Sequence, residues 1–188
     1  MSTVLMVVIV VVAVLVIAAA AYLAWTWSRT RRLRRRFGPE YDRAVEAHGG
    51  RAAAERELMS RERAHQDLEL HDLAPERREQ YKHQWIRVQE RFVDAPQEAV
   101  EQADRLVTVV LGERGYPTRG FDEQAAHLSV DHARTLDHYR RGREISVRAQ
   151  GRDATTEDLR QAMVHYRALF DDLLDVPADH GVAETPRS

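Results

Sequence analysis

Cysteine is absent from this chain of 188 residues. That excludes disulfides, thiolate metal sites and a cysteine nucleophile, and it leaves the redox compartment open. Lysine is nearly absent: Lys82 stands alone against 27 arginines. Arginine is the side chain of bidentate anion recognition, but a high-GC coding sequence accounts for the excess more simply. No segment alternates apolar and polar residues as a strand does, and no repeat of fixed period occurs. The glycine patterns that cradle phosphates, G-x-x-x-x-G-K and G-x-G-x-x-G, are missing, as is a G-x-S-x-G elbow around Ser129.

What is present begins with Val4 to Trp25, a run of 22 uncharged residues in which only Tyr22 and Trp25 carry a polar side-chain atom. As a helix it would be about 33 Å long, enough for a hydrocarbon core of about 30 Å. Tyr22, Trp25 and Trp27 gather at its end, where amphipathic rings favour the headgroup region. Arg29, Arg31, Arg32, Arg34, Arg35 and Arg36 follow, and no basic side chain stands between Met1 and the run. The positive-inside bias therefore predicts a single-pass plasma-membrane anchor, amino terminus outside, with everything after Arg36 in the cytoplasm. The same six arginines are expected to meet anionic lipid headgroups. A cleaved signal peptide competes, with Ala18 to Ala21 as small residues near a cut at Tyr22, but it wants its positive charge before the apolar core.

Setting the six arginines aside leaves 22 basic side chains against 30 acidic ones, so residues 37–188 carry a net charge of about −8. That balance excludes a nucleic-acid platform, which relies on basic charge facing phosphate. The expected divisions are an anchor over 1–28, a polybasic segment over 29–37, a helical domain over 38–176 and a disordered tail over 177–188.

Within the domain, Pro39 to His48 and Arg51 to about Leu70 read as helices separated by Gly49-Gly50. The second has a sparse apolar face and i,i+4 pairs Arg51/Glu55 and Glu57/Arg61. Tyr81, Trp85, Val88 and Phe92 form a stripe on a helix opened by Pro75. Asp94 reads as the N-cap of the next helix, which carries Val100, Ala103, Val107, Val110 and Leu111 inward and Glu98, Glu101, Gln102 and Asp104 outward; the two form an antiparallel hairpin. Gly115-Tyr116-Pro117 ends it, with Tyr116 tucked against the bundle. Phe121 to Leu128 is a short helix, Asp131 the cap of a helix from His132 to about Arg148, and Thr155 with Asp158 a capping box. Leu159, Met163, Tyr166, Phe170 and Leu173 mark the last helix. The fold class is all-α, a single transmembrane helix followed by a compact bundle of about five or six helices.

The residues that invite chemistry are His127, His132, His138 and His165, with Asp131 and Asp137 beside them. Their spacings match no metal template, which needs ligands one turn apart on a face. Ser129, Asp131 and His132 are too close in sequence for a triad. Glu157, Asp158, Asp171, Asp172 and Asp175 read as helix-dipole partners and a solvated face. No catalytic residue, cofactor or metal is expected.

Phe37-Gly38-Pro39-Glu40-Tyr41-Asp42-Arg43, Phe92-Val93-Asp94-Ala95-Pro96 and Met163-Val164-His165-Tyr166-Arg167-Ala168-Leu169-Phe170 give the chain a further feature. With them it resembles a family of short, single-anchor hypothetical membrane or secreted proteins from high-GC bacteria. The resemblance covers most of residues 1–176 and implies no activity and no functional residues. The sequence therefore points to a membrane-tethered, non-enzymatic interaction module whose partners are the bilayer and a protein at the membrane. The alternatives are a histidine- and carboxylate-dependent metal-binding or hydrolytic domain, and an exported cell-envelope domain.

Overall fold

A computed structural model describes residues 3–175, and all regular structure among them is helical: α1 (Thr3–Phe37), α2 (Pro39–Ala47), α3 (Arg51–Gln66), α4 (Pro75–Asp94), α5 (Pro96–Glu113), α6 (Phe121–Asp131), α7 (Ala133–Gln150) and α8 (Thr156–Asp175). The all-α expectation holds, but seven helices rather than five or six follow α1. The expected tail at 177–188 lies outside the described residues. Two compact units divide the chain, Met1–Leu58 and Met59–Ser188, and the boundary falls within α3.

In the first unit α1 is one unbroken helix that carries both the apolar run and the arginines. It is long and apolar enough to cross a membrane, and none of its apolar window is buried. Beyond the window the burial changes: Leu33 and Phe37, one turn apart, are fully buried, as are Tyr41, Ala54 and Leu58. Gly38 at φ 49° ends α1, and Pro39 starts α2 at once with Glu40 and Asp42 in its first turn.

In the second unit α4, α5, α7 and α8 form a bundle. Arg77 meets Glu113 and Arg91 meets Glu98, so α4 and α5 run antiparallel as expected. Likewise Arg148 meets Asp158 at one end of α7 and α8, and His132 meets Asp172 at the other. The core takes Tyr81, Trp85 and Val88 from α4, Val100, Ala103, Val107, Val110 and Leu111 from α5, Leu136 and Tyr139 from α7, and Leu159, Met163, Tyr166, Phe170 and Leu173 from α8. Trp85 stacks on Phe170 with ring centroids 4.8 Å apart. Valine is a mediocre helix former by about 0.5 kcal/mol. Burying its side chain returns about 1.5 kcal/mol or more, so the buried Val100, Val107 and Val110 of α5 stay helical.

Three local expectations are corrected. Asp94 is not the N-cap of α5: it completes α4, and Ala95 (φ −144°, ψ 72°) is the break. The cause is Pro96, whose ring forces the residue before it out of the helical region. Asp131 does not cap α7: α6 continues through it, and His132 occupies the junction. Asp104 does not face solvent, for it accepts from Tyr166 Oη at 3.0 Å and from Arg143 at 2.8 Å, tying α5 to α8 and α7. By contrast the capping box forms as read, with Asp158 N–H donating to Thr155 Oγ1 at 3.1 Å and Thr155 N–H to Asp158 at 2.9 Å.

Candidate functional site

Helical periodicity sorts the arginine run. Positions 27, 30, 31, 34 and 35 fall on one face of α1, and the side chains there line a cleft of about 490 Å³ together with Arg51, the first residue of α3. A second cleft beside it is lined by Ser28, Arg31, Arg32, Arg35 and Arg36, so Arg31 and Arg35 form the ridge between the two.

The six arginines are not equivalent. Arg29 is half-buried and pairs with Glu55 at 3.3 Å. Glu55 is itself 7% exposed and accepts from Thr30 Oγ1 at 2.6 Å and Tyr41 Oη at 3.1 Å. Burial first, then the Glu55 carboxylate, pushes the Tyr41 phenol above its ordinary value. Arg34 lies over the Tyr41 ring and reaches Asp42 at 3.4 Å. Arg31 lies over Trp27, 5.4 Å from its centroid. The expected Arg51/Glu55 pair is replaced, since Glu55 turns to Arg29, Thr30 and Tyr41 while Arg51 faces the cleft. Sequence spacing had no means of joining Arg51 to the run, because a glycine turn separates them.

The histidines converge in pairs, all within the second unit. His65 Nε2 lies 2.7 Å from Asp131, and Tyr116 Oη donates to the same carboxylate at 3.4 Å. His132 Nδ1 lies 2.7 Å from Asp172, which also accepts from Thr135 Oγ1 at 2.5 Å. Burial pushes Asp172 up, but the bonds from His132 and Thr135 outweigh it and leave the carboxyl below its usual range. Asp172 therefore belongs to the packed interior edge and not to a solvated face. Burial, then Asp131, raises the Tyr116 phenol.

Arg114, which no sequence pattern singled out, is 1% exposed and donates to the Leu173 carbonyl at 2.6 Å. The turn that places it needs Gly115: at φ 91°, a Cβ there would sit 2.2 Å from the Glu69 carbonyl oxygen. On the other side of α7, His138 Nδ1 and His165 Nδ1 are 3.0 Å apart. Their ring centroids are 5.2 Å apart and the ring planes are tilted by 45°. Burial, then His138, lowers His165; burial, then His65, lowers His127.

His65 and His132 are closed to a substrate, at 6% and 2% exposed, whereas His127, His138 and His165 are half-buried. Ser129 donates to the Ala126 carbonyl at 2.5 Å. Among the described residues no group of three or more histidine and carboxylate side chains is placed to hold a metal ion. Open surface on the second unit includes a groove of about 250 Å³ between α4 and α8, lined by Trp85, Phe92, Met163 and Val164 and flanked by Arg160 and Arg167, and a more polar cleft of about 310 Å³ between α4 and α5. No family model, curated protein or solved structure matches the chain.

Proposed function

We propose that this chain is a single-pass, membrane-tethered helical interaction module, amino terminus outside and helical units in the cytoplasm, with the bilayer and a membrane-associated protein as partners. The observation that carries this reading is the change of character along α1. Its apolar window is wholly uncovered, and its arginine-bearing end is built into side-chain contacts with α2 and α3. An apolar helix uncovered by its own protein is stable in lipid and costly in water. Trp25 and Trp27 mark the interface, and the arginines beyond them set the orientation. Tethering concentrates the α4/α8 groove near partners in the same membrane without any new contact.

Protease treatment of a carboxy-terminally tagged chain in a bacterial host tests the proposal. A tag protected in intact cells and in spheroplasts, and cut only after lysis, is the expected result. A tag cut in spheroplasts promotes the exported reading, and a mature chain beginning near Tyr22 would establish cleavage. A chain released from membranes by alkaline carbonate sinks the anchor altogether.

A further inference from the structure

The cleft on the arginine face is more than an orientation signal. Arg31, Arg34, Arg35 and Arg51 converge on it from two helices, with Trp27 and Thr30 completing the wall. Arg29 is held by Glu55, and Arg34 leans on Tyr41 and Asp42. Arg31, Arg35 and Arg51 make no ion pair among the described residues, and Arg31 is steadied only by the Trp27 ring. Three cations sharing one cleft repel one another, and an anion with two charges relieves that where a single charge does so only in part. Guanidinium forks match phosphate oxygens in pairs. About 490 Å³ admits a phosphate group and several waters at about 30 Å³ each. The cleft starts at Trp27, directly where the apolar run ends. A headgroup seated there keeps its acyl chains beside the apolar part of α1.

We propose that this cleft is a discrete site for a phospholipid headgroup carrying two negative phosphate charges, with Arg51 as the residue that separates it from a general polybasic attraction. The proposal rests on the membrane-tethered reading. Its chemistry is shared by free phosphate, and the choice of the lipid rests on the adjoining apolar helix.

The test is native mass spectrometry of the full chain in detergent micelles, titrated separately with phosphatidate, cardiolipin and phosphatidylglycerol. One lipid per chain should bind, with phosphatidate and cardiolipin preferred over phosphatidylglycerol. Arg51→Gln should weaken that binding about tenfold, the loss of one charge-assisted contact. Arg35→Gln should do the same, and Arg56→Gln, on an exposed part of α3, should leave it unchanged. Circular dichroism melts check that each variant is folded. Equal binding of all three lipids, or equal losses for Arg51→Gln and Arg56→Gln, overturns the site. Displacement of the lipid by an equal concentration of inorganic phosphate also overturns it, in favour of a soluble anion. Carbonate extraction of the same preparations reads the anchor separately, so loss of headgroup selectivity with retained membrane insertion condemns only this proposal.

Discussion

Arg114 and Arg51 both stand at helix ends, and the two units use them in opposite ways. Arg114, at the end of α5, is buried and gives its guanidinium to a carbonyl in the last turn of α8, where a cation is favoured by the helix dipole. Arg51, at the start of α3, is exposed and has no anionic partner among the described residues. The second unit pairs its buried acids within itself, Asp131 with His65, Asp172 with His132 and Asp104 with Tyr166, although His65 Nδ1, His132 Nε2 and Arg114 Nε remain buried without a hydrogen-bond partner among the described residues. The first gathers Arg29, Thr30 and Tyr41 around Glu55 and leaves Arg31, Arg35 and Arg51 facing outward. Satisfied polar groups hold a core in one arrangement, whereas uncompensated like charges on a surface invite a ligand of the opposite sign. On the lipid-site proposal, that difference separates a scaffold from a contact surface.

That contrast can be broken at several points. Phe170→Ala removes the ring stacked on Trp85 and should cost about 3–5 kcal/mol of stability, read by urea denaturation. If it costs little, the second unit is not the tightly packed one. Gly115→Ala should cost more than about 1 kcal/mol, since the added Cβ meets the Glu69 carbonyl and the backbone angle is unfavourable for alanine. A melt matching the parent's would mean that the turn yields. Thr155→Ala removes the cap of α8 and should cost about 1 kcal/mol. Its effect should add to that of Gly115→Ala, because the two sites share no partner.

The shallowest effect is a pH slope. His127 and His165 are both lowered, so the unfolded chain takes up protons more readily than the folded one. Their contribution is complete above the ordinary histidine value and drains as pH falls from about 7 toward about 5. Asp172, also lowered, continues the loss at more acid pH, as its own folded value is approached. Thermal melts across that range should show the decline, and His165→Gln should flatten its upper part. A slope of the opposite sign would place the histidines in a charged, paired state.

Much of the bundle was legible because its causes are local. The stripe Tyr81, Trp85, Val88, Phe92 and the stripe Leu159, Met163, Tyr166, Phe170, Leu173 are periodic, and the Thr155/Asp158 box spans three residues; all three formed as read. The failures have two causes, one local and one long-range. Asp94 lost the cap because Pro96 acts on its immediate neighbour, a steric rule that outranks a cap preference. Asp131 looked like a cap because its true partner, His65, is far away in sequence. Glu55 looked like half of a surface pair with Arg51, yet it is buried under Tyr41 and Arg29. The candidate cleft was half visible: its α1 side is written in the spacing of the arginines, but Arg51 joins only through the turn at Gly49-Gly50 and the packing of α3.

The continuity of α1 has a mechanical consequence. No glycine or proline interrupts it from Thr3 to Phe37, a rod of about 50 Å. Each residue turns that rod by about 100°, so the azimuth of Tyr22 and Trp25 fixes the azimuth of Arg31 and Arg35. Any roll of the apolar part of α1 is thus handed to the arginine face as a rotation of the same angle. On the proposed membrane-spanning reading the helix acts as a shaft as well as a tether, and lipid packing around its apolar length sets which way the cleft is turned.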